Sequence, residues 1–303
     1  MGIERILPQL FLFSLLVLIS LILTQNLADV KHKEEAFEDK KEKEPQAGVV
    51  SMIKKPKNIE TWLEKNRTFG IKKFYIRLEE TPELHEFLRS QPDVYFTDEV
   101  SKGEDEYNDI QVRQTKWIDT ALDLAKNDGI DWLFHIDSDE LLSGNIQTVF
   151  ELPDTVDTFW IQNEEAVYKD VPKEEDNCFD AMKFVNCSHP GTHCASYVNG
   201  KGGGRTISDV KSHGPHRFRS IKPDSERKLD TIMLQHFESC DFKSYKEKYI
   251  RLAQSAKMET IPFPYYKDSI KAANKGDEAA LECVYRKYRT ETKDNKNCDE
   301  LLL

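Results

Sequence analysis

Hydrophobic positions along the middle of the chain switch repeatedly between a strand period and a helix period. Val49 to Ile53 is a short apolar run and predicts a strand. Asn58 then opens a helical pattern with Ile59, Trp62 and Leu63 on one face, closed by Gly70. Lys72 to Leu78 alternates and predicts a second strand. A short helix over Pro82 to Leu88 and a strand over Val94 to Thr97 follow. Asp109 to Asp128 reads as a long amphipathic helix with Ile110, Trp117, Ile118, Ala121, Leu122 and Ala125 inward, and Gly129 ends it. Trp132 to Ile136 is a buried strand. This β-α-β-α-β-α-β order predicts an α/β fold, with a mainly parallel central sheet and helices on both faces.

Past Leu142 the alternation lapses. Thr158 to Gln162 predicts one more strand, leading into Asn163-Glu164-Glu165. Residues 166–230 are rich in turn residues, Cys, Gly and His, and read as irregular strands and loops. A helix over Asp241 to Ala256 and shorter ones over 265–275 and 277–288 complete the pattern.

The amino-terminal end follows neither period. Ile6 to Thr24 is nineteen residues without a charge, about 28 Å as a helix, close to the hydrocarbon thickness of a bilayer. An uncleaved signal-anchor and a cleaved signal peptide compete here. The run is long for a signal peptide, and Ala28 with Asn26 before it makes a poor cleavage site, which favours the anchor. Lys31 to Glu44 mixes Lys and Glu with little to bury and predicts a solvated stalk. The expected organisation is a cytosolic tail (1–5), a membrane span (6–24), a stalk (25–47), a folded domain (48–260) and a helical extension (261–303).

Composition narrows the function. A net charge of -11 on 303 residues argues against nucleic acid, which would demand a basic face. All six cysteines lie in the second half, and in a secretory lumen they would form up to three disulfides. Cys187-Ser188-His189 with His193-Cys194 offers a zinc alternative. Asn66-Arg67-Thr68 and Asn186-Cys187-Ser188 are glycosylation sequons.

The chemistry concentrates at Trp132-Leu133-Phe134-His135-Ile136-Asp137-Ser138-Asp139-Glu140, where a buried strand runs into acids. Two positions apart on extended chain, Asp137 and Asp139 project to one side. Two hard oxygen ligands there suit Mg²⁺ or Mn²⁺, with a diphosphate supplying further oxygens. The competing reading is a helix N-terminus with capping acids. Glu164 and Glu165 are the best-placed general bases, with Glu238 and Asp241, near His236, as alternatives. Gly200-Lys201-Gly202-Gly203-Gly204-Arg205 reads as a cationic loop whose amides and Arg205 could approach a diphosphate, or as a plain turn.

Taken together, these stretches resemble glycosyltransferases of the GT-A fold, Rossmann-like, in the family 2-like group near family 92. The resemblance rests on Asn58 to Glu64, Gly70 to Ile76, the Gln111 helix, Trp132 to Leu141, Gly214-Pro215-His216-Arg217-Phe218 and Leu234-Gln235-His236-Phe237. It covers about 48–255. It implies metal-dependent transfer of a sugar from a nucleotide-sugar donor to a hydroxyl of a glycan or glycoprotein. Asp137, Ser138, Asp139, Gln111 and Arg205 would then meet the donor, and Asp137, Asp139 and His216 (with His213 as second choice) the metal. Relatives commonly carry Asp after the second strand, where Arg77-Leu78-Glu79-Glu80 stands here, so either Glu79 would take a ribose hydroxyl or the donor would be held differently. The implied setting is a single-pass type II membrane protein of the Golgi or ER lumen, or a secreted one if the leader is cleaved. A non-catalytic carbohydrate-binding secretory protein and another metal-dependent phosphotransfer enzyme are the alternatives.

Overall fold

The structure, a computed structural model, describes residues 44–99, 106–180, 183–188, 193–194, 197–255 and 263–291, with 24, 25, 27 and 301. The chain divides into two units, Met1–Glu44 and Pro45–Leu303. In the first, residues 24, 25 and 27 are helical, and the rest of the expected span and most of the stalk lie outside the described residues. Among the described residues no helix is long and apolar enough to cross a membrane.

The second unit opens with the predicted alternation. In order come β1 (Ala47–Ile53), α1 (Ile59–Phe69), β2 (Ile71–Glu79), α2 (His85–Arg89), β3 (Val94–Glu99), α3 (Glu106–Asn127) and β4 (Trp132–His135). Then come β5 (Glu140–Gly144), α4 (Gln147–Phe150), β6 (Thr158–Val167), β7 (Lys183–Asn186), β8 (Lys201–Arg205), β9 (Val210–Ser212), β10 (Phe218–Ser220) and β11 (Glu226–His236). Three helices finish the unit: α5 (Phe242–Ser255), α6 (Pro264–Lys275) and α7 (Glu278–Arg289).

The main sheet runs β3-β2-β1-β4-β8-β6-β11-β5, with β7 beside β6. β1 to β4 pair in parallel, and so do β6 and β11. Antiparallel β8 joins the two groups, and β5 and β7 are antiparallel to their neighbours. Six of the nine strands therefore point the same way. Side chains alternate between two cores, as the pleat requires. Val49, Phe74 and Phe134 face a core shared with Trp62 of α1. Val50, Tyr75 and Leu133 face one shared with Trp117 and Ile118 of α3. Helices thus cover both faces.

Strand β8 departs from expectation. The glycine run is a central strand and not a loop. A Cβ on Gly203 would sit 2.3 Å from Phe159 Cζ, so only glycine lets β6 and β8 pack with that ring between them. β6 also runs past Gln162 to Val167, which places Glu164 and Glu165 inside the strand.

Helices α5 to α7 bury a third cluster containing Tyr245, Tyr249, Tyr265, Tyr285 and Tyr288. They are tied to the sheet: Tyr285 Oη donates to Cys240 O at 2.8 Å, and Arg289 Nη1 to Glu165 Oε2 at 2.7 Å. Disulfides join Cys178 to Cys240 and Cys187 to Cys194, which replaces the zinc alternative, and Cys283 is also disulfide-bonded. Of the two sequons, Asn66 is fully buried, its Nδ2 donating to Trp62 O and its Oδ1 accepting from Leu142 N–H. Asn186 is exposed.

Candidate functional site

In an open α/β sheet ligands settle beyond the carboxyl ends of the parallel strands. Here that rim gathers Glu79 at the end of β2, Asp137 to Asp139 beyond β4, Glu165 near the end of β6 and His236 at the end of β11. Antiparallel strands bring their first residues to the same rim, which places Lys201 of β8 and Glu140 of β5 there too. A cavity of about 470 Å³ opens over this rim. Among the described residues, four of the five non-glycine residues with left-handed backbone, Lys55, Asn58, Glu80 and Ser239, lie in loops after β1, β2 and β11. Such strain tends to concentrate where function overrides local preference.

Asp137 to Glu140 form a turn, Glu140 N–H donating to Asp137 O at 3.1 Å. The Trp62 indole N–H pins it to α1, 2.8 Å from Glu140 O and 3.2 Å from Asp137 O. Phe237 N–H ties it to β11 through Asp139 O at 2.8 Å. Because this is a turn and not extended chain, the two aspartates diverge. Asp137 accepts from Lys201 Nζ at 2.5 Å and Gln114 Nε2 at 2.8 Å. Asp139 instead lies 3.7 Å from His236 Nε2, and with Glu238 these three bring one ligand atom each within 4.8 Å of one another.

His236 is fixed from behind by a buried carboxylate. Its Nδ1 is 2.7 Å from Glu165 Oε1, and Glu165 is fully buried with Arg289 on its other oxygen. Once the ring is neutral with Nδ1–H donating to that carboxylate, Nε2 would present its lone pair toward Asp139 and Glu238, the usual support for a metal-binding imidazole. Glu238 is also held by Lys248 at 2.8 Å. Glu140, fully buried, accepts from the Asp137 N–H and the Tyr197 hydroxyl.

The electrostatics follow from crowding five carboxylates, Asp137, Asp139, Glu140, Glu165 and Glu238, around three permanent cations, Lys201, Lys248 and Arg289. Burial raises Glu140 to about 7 although Lys201 pulls it down. Loss of hydration also raises Asp139, against His236. Burial opposes charge on His236, but Glu165 and Asp139 raise it to about 9. Glu238 is pulled down to about 2 by Lys248 despite burial, and Lys201 likewise holds Asp137 low. His216 falls to about 4 through burial and Lys201. With all five carboxylates ionised and His236 neutral the cluster would carry two excess negative charges, but burial of Glu140 and the carboxylates around His236 keep protons there in the metal-free protein, so a divalent ion would enter by displacing them. The donor set, two carboxylates and an imidazole with ligand atoms within 4.8 Å of one another, therefore fits a divalent cation at Asp139, His236 and Glu238.

The other sequence-predicted residues are distributed as follows. Asp137, Ser138, Asp139, Gln111, Glu79 and His216 all line the cavity. Glu79 is bound by Arg113 through both oxygens, at 2.8 and 3.1 Å. His216 Nδ1 lies 2.8 Å from Gly200 O, on the Asp137 side and outside the Asp139 cluster. Glu165 is enclosed behind His236, and Glu164 accepts from Gln235 at 3.0 Å; neither lines the cavity. Arg205 ends β8 at the opposite edge from Lys201, bonded to Val156 O at 3.1 Å and stacked 4.4 Å over Trp132. Asp241 pairs with Lys57 and accepts from Ser244 N–H at the start of α5. Sequence reasoning passed over Lys201, Glu140 and the metal-type pairing of His236 with Glu238. The spacing His236-x-Glu238 at the end of a strand was the available signal for the last.

Fold and site together define an open-sheet α/β protein with an acid–imidazole cluster on the floor of a rim cavity. No family model matches the chain. A glycosyltransferase-like protein of Arabidopsis thaliana is 21% identical over 231 residues, covering 60% of this chain and 51% of that protein. The chain thus spans about half the length of this curated relative. Among solved structures, a CMP:2-keto-3-deoxy-manno-octonic acid synthetase complexed with CTP matches at TM-score 0.30 and 12% identity, over 53% of this chain and 74% of that one. HddC from Yersinia pseudotuberculosis matches at TM-score 0.28 and 10% identity, over 64% and 78%. Likeness at that level carries no functional weight.

Proposed function

We propose that this chain is a metal-dependent glycosyltransferase of the GT-A type, moving a sugar from a nucleotide-sugar to an acceptor hydroxyl on a glycan or glycoprotein. The observation that carries the reading is the Asp139–His236–Glu238 cluster, oriented by Glu165, on the floor of the rim cavity. The glycosyltransferase-like relative supports it. The proposed ion is Mn²⁺ or Mg²⁺, and the imidazole in the donor set favours Mn²⁺. When bound, the ion supplies Lewis-acid stabilisation for the departing nucleoside diphosphate.

The chain's own residues do the rest. Trp62 and Phe237 hold the turn that aims Asp139 at the ion. Glu165 keeps the His236 proton on Nδ1. Met52, Ile110, Gln111 and Arg113 line the end of the cavity next to α3 and would receive the nucleoside. With Glu79 taken by Arg113, a direct ribose contact by Glu79 gives way to one by Arg113, whose Nη1 is buried without a hydrogen-bond partner among the described residues. The disulfides and the uncharged run Ile6 to Thr24 support a secretory, membrane-anchored setting in the ER or Golgi lumen.

A screen of nucleotide-sugars, read as release of nucleoside diphosphate with and without Mn²⁺, tests the reading. Metal-dependent release that Asp139→Ala and His236→Ala abolish is expected. Release that survives both substitutions, or no release from any donor, overturns it.

A further inference from the structure

Lys201 is one of the largest fully buried side chains of the protein, yet it lies on the floor of the cavity. Gly200 before it has φ +58°, and a Cβ there would sit 1.9 Å from Ile161 O. That close approach places the start of β8, and so the lysine, at the rim. Its ammonium donates to Asp137 Oδ2 at 2.5 Å and stands 3.7 Å from Glu140 Oε2, beyond hydrogen-bond distance. An ammonium has three donor hydrogens, and among the described residues one of them is used, on Asp137. Burying a lysine costs free energy, and an ion pair of this kind is commonly no more stabilising than two apolar side chains of the same volume. Fold stability alone therefore gives little reason for a fully buried charge at the head of a strand whose next three residues are glycines.

We infer that Lys201 is a diphosphate-binding residue, a resident cation beside the metal cluster. It also holds Asp137 away from the ion: both oxygens of Asp137 already accept protein hydrogens, from Lys201 and from Gln114. The site then has two positive centres of different kinds, an exchangeable ion at Asp139, His236 and Glu238 and a fixed ammonium at Lys201. A diphosphate has oxygens enough to meet both, and charge-assisted contacts of this sort are among the stronger hydrogen bonds. The inference deepens the proposed transferase reading and rests on it for the identity of the ligand, but not for the ammonium's affinity for pyrophosphate.

The test is calorimetric titration of inorganic pyrophosphate into the protein, with and without Mn²⁺, for wild type, Lys201→Met and Lys201→Arg. Lys201→Met is expected to weaken pyrophosphate binding at least tenfold in both conditions, with Lys201→Arg within about threefold of wild type. Should Lys201→Met fail to fold, as judged by its thermal melt, Lys201→Met with Asp137→Asn and Glu140→Gln removes both carboxylates that face the ammonium and is titrated in its place, with the same loss expected. Wild-type pyrophosphate affinity in a folded methionine variant overturns the inference and leaves Lys201 a structural partner of Asp137. Absence of pyrophosphate binding to wild type without metal overturns it equally. Absence of Mn²⁺ binding to wild type overturns the metal reading, while the metal-free titration still decides the role of Lys201.

Discussion

Replacing Glu165 with Gln changes one charge and almost no volume, so it isolates what that carboxylate does. The residue is fully buried, with one oxygen 2.7 Å from His236 Nδ1 and the other 2.7 Å from Arg289. In Glu165→Gln the buried Arg289 loses its counter-charge, which costs roughly 3–5 kcal/mol for a buried pair. An exposed carboxylate would cost within about 0.5 kcal/mol. His236 also loses the partner that fixes its proton on Nδ1, and at a pH above 9, where the imidazole is neutral with or without Glu165, such losses typically lower metal affinity by about 10–100-fold. Urea unfolding and Mn²⁺ titration by electron paramagnetic resonance measure the two effects on one sample. A general base facing an acceptor would behave otherwise: turnover would fall while metal affinity and stability held. Unchanged Mn²⁺ affinity in a folded Glu165→Gln protein refutes the orienting role.

Other expectations follow from the same geometry. The folded-state value of His236 is raised to about 9 from an ordinary 6.5. In metal-free protein its contribution is therefore fully present below pH 6.5 and is lost as pH rises through about 9. The size is on the order of 3 kcal/mol, and urea midpoints between pH 6 and 9.5 should fall accordingly; a flat profile counts against a charged His236. Since the ion needs neutral Nε2, Mn²⁺ affinity should rise about tenfold per pH unit from pH 7 toward 9, and a pH-independent dissociation constant would contradict that ligand. Gly203→Ala forces a Cβ onto the Phe159 ring and should lower unfolding free energy by about 1–3 kcal/mol; an unchanged urea midpoint would mean that β8 lies elsewhere. In a secretory host, Asn186→Gln should remove a glycan by mass and Asn66→Gln should not, because Asn66 is enclosed.

Much of the fold could be read from periodicity. Strands β1, β2 and β4 carry strong apolar patterns because they are largely buried on both faces, and α5 to α7 carry clear helical ones. Strand β8 could not be read this way, since its identity comes from the closeness of Phe159 and not from any side chain of its own. The site was half legible. Asp137 and Asp139 stood out as acids after a buried strand, but their division of labour depends on a turn that only the Trp62 and Phe237 contacts define. His216 and His236 were both visible in sequence. What separates them is the neighbour on Nδ1, a backbone carbonyl for one and the Glu165 carboxylate for the other, and these partners are distant in the chain.

The claim that a divalent ion sits at Asp139, His236 and Glu238 is tested most directly by pulsed electron paramagnetic resonance on the Mn²⁺-loaded protein. One Mn²⁺ per chain is expected, with a hyperfine coupling to imidazole nitrogen that disappears in His236→Gln and persists in His216→Gln. A nitrogen coupling that survives His236→Gln and vanishes in His216→Gln, or no bound Mn²⁺ at all, would contradict it.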